Sequence, residues 1–147
     1  MTLGRSINHP IVIGFWNGDP PFGPSAGGIA SYILYRAYIL GKKGFEVWWL
    51  NERQCARFDS DIKSWVEHRT FRLSGLLKKL YNRVPLIYPT VQFLKKERNL
   101  MLLEIPHGFL GILPNWSKRA VKIILHCHTS PLVRAFLNKD HEGEGGI

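Results

Sequence analysis

The feature that most constrains the fold is a succession of strand, glycine-rich loop, helix, glycine and strand patterns within residues 11–50. Residues 11–16 (IVIGFW) form a short, continuous apolar run, which is typical of a buried parallel strand. Turn-forming residues fill 17–28, apolar residues at helical spacing follow in 29–42, and 45–50 (FEVWWL) has the composition of a second strand. A helix that connects two parallel strands of one sheet makes a right-handed crossover. The sequence therefore predicts a βαβ unit and, with it, a parallel sheet.

Three further strands and three further helices are predicted beyond this unit. The strands are expected at 64–71, 100–105 and 121–127, and the helices over 73–81, around 90–96 and from Pro131. Strands that alternate with helices favour a parallel sheet covered on both sides. We therefore expect an α/β fold: a doubly wound, mainly parallel sheet of about five strands with helices on both faces.

Length and composition are those of a single globular domain. With 147 residues, 45% of them hydrophobic and 21% charged, the chain can bury a core and does not have the composition of a disordered protein. We expect an extension over 1–10, one Rossmann-like domain over 11–140 and a flexible tail over 141–147. No apolar run reaches the roughly 18 residues of a membrane-spanning helix, and the amino terminus does not resemble a secretory signal. Two cysteines make no disulfide framework, so a cytoplasmic location is expected.

A surplus of positive charge points to anionic partners. Lys and Arg number 20 against 11 Asp and Glu, a net charge of +9, which favours nucleotides, phosphosugars, nucleic acid or acidic lipid headgroups without choosing among them. No nucleic-acid-binding motif accompanies the charge, so no nucleic-acid partner is expected. Segment 72–98 holds seven Lys or Arg against one acid, with Leu and Tyr interleaved. This pattern fits an interfacial helix in peripheral contact with an anionic membrane, or a solvated helix face.

The first candidate site is the glycine pair at the start of the first predicted helix. In open α/β sheets, ligands bind beyond the carboxyl ends of the strands, where the loop 17–28 and residues 104–107 are expected. Gly27 and Gly28 let the backbone approach a phosphate, and the free N–H groups of a helix start favour an anion. The dinucleotide fingerprint Gly-x-Gly-x-x-Gly and the Walker A pattern are both absent. A tight strand-to-helix turn is the alternative explanation for the two glycines.

The second candidate site is the pair of histidines at the end of the last predicted strand. His126 and His128 point to the same side of an extended strand and could bind zinc, but no third ligand with suitable spacing is evident. A single histidine there could instead hydrogen-bond a sugar hydroxyl or carry a proton. A core histidine satisfied by the backbone is the third possibility, and it fits His126 better than His128, which lies nearer the loop.

The order and spacing of these motifs resembles the amino-terminal domain of family 4 glycosyltransferases, retaining enzymes of the GT-B fold in which two Rossmann-like domains face a cleft. The resemblance covers roughly residues 11–135. Its motifs are 27–30 (GGIA) before an apolar helix, 44–47 (GFEV), 66–69 (VEHR), 103–106 (LEIP) and 128–131 (HTSP).

The resemblance implies roles for individual residues. Gly27 and Gly28 would lie against the donor diphosphate or the transferred sugar, and His128 would be the catalytic residue that contacts the transferred sugar near the reaction centre. Glu104, at the rim of the cleft, and Thr129 would belong to the same substrate- and donor-phosphate-binding set. The family needs no metal and no cofactor, because positive side chains and helix dipoles offset the charge of the leaving diphosphate.

The resemblance also implies the reaction. The chain would be the acceptor-side half of an enzyme that transfers a sugar from a nucleotide-sugar to a carbohydrate or lipid-linked acceptor. The donor-binding domain of the family would follow residue 147, so this chain alone is expected to be inactive. The alternative is a non-catalytic, flavodoxin-like module that binds a nucleotide or a phosphosugar.

Overall fold

The computed structural model describes residues 10–23, 27–73, 75, 88–106 and 121–126. Over these residues the chain is an α/β protein with a six-stranded mixed sheet and two helices. The strands are β1 (Val12–Trp16), β2 (Glu46–Leu50), β3 (Gln54–Asp59), β4 (Ser64–Thr70), β5 (Leu100–Pro106) and β6 (Lys122–His126), and the helices are α1 (Gly28–Lys42) and α2 (Pro89–Arg98).

The sheet order is β4-β3-β2-β1-β5-β6. Strands β2, β1, β5 and β6 run parallel, which confirms the expected βαβ unit, whereas β3 is antiparallel to both β2 and β4. The expectation of about five mainly parallel strands missed β3, the antiparallel strand that lies between β2 and β4, so β4 has the direction of the parallel strands but pairs with none of them. Only three residues separate β2 from β3, and a connection this short can join antiparallel strands but not parallel ones.

One face of the sheet packs against α1. Because side chains alternate along a strand, every second residue of each strand points to this face. It carries two fully buried or nearly buried aromatic rings, those of Trp49 and Phe15, and α1 contributes Ile33 and Ala37. The remaining buried members of this cluster are Ile13, Val47, Ala56, Phe58 and Trp65.

The opposite face packs against α2 through Val91 and Leu94, both fully buried. Gly14 lies in the middle of β1 on this face, where a Cβ would come 3.0 Å from Leu50 Cδ2 and 3.1 Å from Leu103 Cδ1. A side chain at that position would push these leucine methyl groups aside, and glycine lets leucines from β2 and β5 meet across β1. The two helices thus cover opposite faces of the sheet.

A glycine follows the helix of the first βαβ unit at its C-terminal end. Helix α1 ends at Lys42, and Gly44 follows with φ of 91°, a conformation that glycine adopts without strain. The expected C-terminal role of Gly44 is confirmed. Several predictions lie outside the described residues: the expected helix over 73–81 except residues 73 and 75, the extension 1–10 except residue 10, the tail 141–147 and the segment after His126.

Candidate functional site at the carboxyl edge of the sheet

The carboxyl ends of five strands meet at one edge of the sheet, and this edge is the candidate site. The four parallel strands end there, and β4 also ends there because two antiparallel steps restore the direction of β2. The strand order reverses at β1, whose neighbours are β2 on one side and β5 on the other. Ligands of open α/β sheets bind at such a reversal point, outside the carboxyl ends of the strands.

Helix α1 begins at this edge with Gly27 and Gly28, as the sequence predicts. Gly27 is the N-cap residue with φ of −92° and ψ of −165°, an extended conformation open to any residue, and Gly28 has no positive φ. A Cβ added to either glycine would meet no atom of the described residues within 4 Å, and both are exposed. Neither backbone strain nor packing against the described residues therefore requires glycine here.

The start of α1 also lacks the groups that usually satisfy a helix amino terminus. Among the described residues no side chain caps it, and its first turn contains no acidic residue. The first N–H groups of a helix have no acceptor within the helix and carry the positive end of its dipole. The exposed glycine pair thus presents these N–H groups with no side chain of the described residues within 4 Å of a Cβ at either glycine, an arrangement that accepts an anion.

The loop after β1 is held against the end of β2 by Asn51. The Nδ2 atom of Asn51 donates to Gly18 O at 3.1 Å, and its Oδ1 accepts from the N–H groups of Arg53 (2.9 Å) and Gln54 (2.7 Å). Thr90, in the first turn of α2, donates from Oγ1 to Asn51 O at 2.6 Å. The side chain of Asn51 is buried and hydrogen-bonded at both its nitrogen and its oxygen, so its role is to hold the loops after β1 and β2 in place.

Glu104 faces α1 from the end of β5 and is 4% exposed. Its Oε1 accepts from Tyr32 Oη at 3.0 Å, and its Oε2 lies 3.4 Å from Arg36 Nη2. Burial raises the pKa of Tyr32, the hydrogen bond and charge of Glu104 raise it further, and Arg36 opposes them. The carboxylate is thus engaged by α1 one and two turns below Gly28, and the predicted ligand-binding role of Glu104 remains a prediction.

Sequence reasoning missed His68 as a residue of this edge. Alternation along 64–70 predicted that Trp65, Glu67 and Arg69 share one side and that His68 lies on the other. The structure contains a β-bulge, in which Ala56 of β3 faces two residues of β4 and Glu67 has a left-handed φ of 52°. The extra residue turns His68 to the α1 side, where its ring packs edge-on against Phe22 of the β1 loop at 4.9 Å.

The predicted catalytic His128 and the predicted binding residue Thr129 lie outside the described residues, and their roles remain predictions. Strand β6, which precedes them, ends at His126 at the same edge as the start of α1 and two strands from β1. Among the residues that the structure describes, no group of three or more His, Cys, Asp or Glu side chains is arranged to hold a metal ion.

The basic segment 72–98 is described only at its ends. In α2 the apolar residues Val91 and Leu94 face the sheet, and the last turn carries Lys95, Lys96 and Arg98. No large hydrophobic side chain of α2 is exposed. The predicted membrane contact therefore depends on the part of the segment outside the described residues. No helix in the described part of the chain has the length and apolar character needed to cross a membrane.

Comparison of the chain with protein-family models, with curated proteins and with solved structures found no match.

Proposed function

We propose that the chain is the amino-terminal, acceptor-side domain of a retaining glycosyltransferase, a doubly wound, Rossmann-like half of a GT-B fold. In this proposal the start of α1 binds the diphosphate of a nucleotide-sugar, and the sugar is transferred to a carbohydrate or lipid-linked acceptor. The donor-binding domain would follow residue 147, and the chain alone would bind the donor weakly and transfer nothing.

One observation carries the proposal: the uncapped, exposed pair Gly27 and Gly28 at the reversal point of the strand order. Nothing in the described residues requires glycine there, whereas a bound phosphate favours it, since glycine lets phosphate oxygens come close to the backbone N–H groups. The net charge of +9 favours the approach of a diphosphate over long range. The two helices lie on opposite faces of the sheet, and the strand order reverses at β1. In open α/β sheets this arrangement forms the crevice in which ligands bind.

In the proposed mechanism this domain stabilises the negative charge of the leaving phosphate. As the bond between sugar and diphosphate breaks, negative charge accumulates on the leaving phosphate. The fixed N–H groups at Gly27 and Gly28 would stabilise that charge, and they need no reorganisation because α1 already holds them in place. In the role implied by the family resemblance, His128 would contact the transferred sugar, and substituting it with Ala would remove most turnover of the complete enzyme.

The substitution Gly28→Asp tests the phosphate site with two readouts of opposite sign. A carboxylate in the first turn should stabilise α1 by about 0.5 kcal/mol through the helix dipole. The same carboxylate should repel pyrophosphate or a nucleoside diphosphate and weaken its binding about tenfold or more, which corresponds to at least about 1.4 kcal/mol. Calorimetry and chemical-shift titration measure binding, and urea unfolding measures stability.

Gly18→Asp is the matched control. Gly18 is also an exposed glycine of the carboxyl edge with no described atom within 4 Å of a Cβ, but it does not begin a helix. It adds the same charge, so the two variants separate a local contact from a change in net charge. Equal affinity of the diphosphate for both variants and the wild type would reject a phosphate site at α1.

A non-catalytic nucleotide- or phosphosugar-binding module is the second candidate, since the glycine pair supports phosphate binding without transfer. The two candidates differ in affinity: a complete binding module should hold a nucleoside diphosphate at micromolar concentration, and half of a cleft should not. The same calorimetric titration of the wild-type chain therefore distinguishes them.

A further inference from the structure

Strand β4 contains a residue with a strained left-handed backbone, and the bulge around it determines which way the next side chain points. Glu67 is a non-glycine residue with φ of 52°, within the bulge opposite Ala56. A left-handed non-glycine residue is disfavoured by about 1 kcal/mol or more and persists where the surrounding structure holds it in place. Here the carboxylate of Glu67 is held by Arg57 Nε at 3.1 Å and by Arg98 Nη2 at 2.8 Å, both on the α2 side.

The consequence of the bulge is the position of His68. Without the extra residue, alternation would place His68 on the α2 side; with it, His68 and Trp65 share the α1 side, where both rings contact Phe22. Bulges of this kind are found next to binding sites, where they redirect a side chain. Arg69, the next residue, returns to the α2 side and packs over the ring of Phe93 at 4.6 Å.

The hydrogen bonding of His68 fixes which ring nitrogen carries the proton. Its Nε2 atom lies 3.0 Å from the backbone oxygen of Trp65. A carbonyl oxygen only accepts, so Nε2 must donate, and in the neutral ring Nδ1 is then an acceptor. No described residue donates to Nδ1, and the side chain is exposed. His68 thus presents an oriented acceptor to solvent beside the half-buried ring of Phe22.

We infer that His68 is a ligand-binding residue of the carboxyl edge whose Nδ1 accepts a hydrogen bond from a hydroxyl of the carbohydrate acceptor. The inference rests on the proposed function and adds the acceptor side to it. A hydroxyl fits better than a phosphate, because a phosphate oxygen offers no proton to an acceptor nitrogen. The acceptor fits better than the donor phosphate, because β4 lies three strands from β1, about 14 Å at the usual strand spacing.

The loop after β1 links the two parts of the edge. Phe22 contacts His68, and Gly27 follows five residues later at the start of α1. The bulge therefore directs His68 towards the same loop that leads to the phosphate site. Phe22 lies in the middle of this loop and Gly27 at its end, so an acceptor bound beside Phe22 and a diphosphate bound at α1 would both contact residues of one loop.

Two substitutions of His68 separate binding from structure. The amide nitrogen of Gln reaches the position of Nε2, so His68→Gln keeps the bond to Trp65 O and removes the acceptor at Nδ1. The amide of Asn reaches the position of Nδ1, so His68→Asn keeps an acceptor there and loses the bond to Trp65 O. A purely structural role predicts greater damage from Asn, whereas the binding role predicts greater loss of ligand affinity from Gln.

The experiment is a titration of the ¹⁵N-labelled chain with a panel of methyl glycosides and, separately, with pyrophosphate. We expect the free chain to show the Nε2–H tautomer of His68, a glycoside to shift the Nδ1 resonance, and pyrophosphate to shift the amide of Gly28 but not His68. His68→Gln should weaken glycoside binding about three- to tenfold, the range of one neutral hydrogen bond, and His68→Asn should weaken it less.

The outcomes distinguish the two proposals. A proton on Nδ1 in the free chain, or a His68 resonance unmoved by every glycoside while pyrophosphate still shifts Gly28, overturns the inference and leaves the phosphate site intact. Loss of the Gly28 response as well overturns the proposed function and this inference with it. Equal glycoside affinity of His68→Gln and the wild type also overturns the inference.

Discussion

The two glycines at the ends of α1, Gly28 and Gly41, differ in the space available for a side chain. A Cβ at Gly41 would lie 2.9 Å from Ser60 Cβ, closer than real Cβ contacts, whereas a Cβ at Gly28 meets no described atom within 4 Å. Alanine favours a helix over glycine by about 1 kcal/mol, but overpacking costs about 1–3 kcal/mol. We expect Gly41→Ala to destabilise the chain by about 1 kcal/mol and Gly28→Ala to be neutral or stabilising.

Urea unfolding of both variants measures the difference, and Ser60→Gly provides the control for the contact. In the Ser60→Gly background the clash is absent, so Gly41→Ala should lose its cost and gain the helix preference of alanine. A Gly41→Ala variant more stable than the wild type would show that α1 and the turn after β3 separate easily.

Glu104 has observed contacts that support α1 and a predicted role in ligand binding, and substitutions can distinguish the two. Its substitution by Ala removes the acceptor of the Tyr32 hydroxyl and the partner of Arg36, and it leaves a cavity under α1. We expect a loss of about 1–3 kcal/mol in the free energy of unfolding. Tyr32→Phe should cost less, about 1 kcal/mol, since the ring remains.

The two substitutions share one hydrogen bond, so their costs should not add, and a double-mutant cycle measures the coupling. A second readout is the phenol of Tyr32: because the hydrogen bond and charge of Glu104 raise its pKa, Glu104→Ala should lower it in an ultraviolet titration. A large stability loss with unchanged diphosphate binding would assign Glu104 to the support of α1. Additive costs would contradict the contact.

At the scale of elements, hydrophobic periodicity predicted those parts of the chain whose packing is regular. The buried runs of β1 and β2 are continuous because α1 and α2 cover both sides of these strands. Helix α2 was expected within two residues of its observed ends. Strand β3 was missed because the turn before it contains neither Gly nor Pro. Asn51 makes that turn through its side chain, which accepts from two N–H groups beyond it.

The bulge in β4 could not be predicted from the sequence, and the missed site residue follows from it. Strict alternation is the only expectation that 64–70 supports, whereas the left-handed Glu67 is held by Arg57 and Arg98, which are distant in the chain. Local patterns do not contain that information. The glycine pair of the site was predictable, because a strand followed by Gly27 and Gly28 and a helix is a local arrangement.

At the scale of the whole molecule, the buried Tyr88 hydroxyl and Cys55 thiol make the free energy of unfolding decrease at alkaline pH. Burial raises the pKa of Tyr88 from its ordinary value of 10.0 to about 12, and the charge of Glu52 adds to this effect. Burial likewise raises the pKa of the Cys55 thiol from 9.0 to about 12, against the opposing charge of Arg69. Both side chains lie in the core on the α2 side, where Tyr88 stacks on Trp16 at 5.0 Å.

The sign of the dependence follows from proton linkage. The unfolded chain releases the Tyr88 proton near pH 10, whereas the folded chain keeps it until about pH 12. The contribution of this group to stability is therefore complete below about pH 10 and is lost as the pH rises towards 12. Cys55 acts in the same direction, beginning near pH 9.

We expect the free energy of unfolding of the wild-type chain, measured in urea, to fall steadily above pH 9. Tyr88→Phe keeps the ring that stacks on Trp16 and removes the ionisable hydroxyl, so its stability should fall less steeply than the wild type between about pH 10 and 12. The titration of lysines is common to both proteins and cancels in the comparison. Parallel curves over that interval would mean that the Tyr88 hydroxyl reaches solvent in the folded chain.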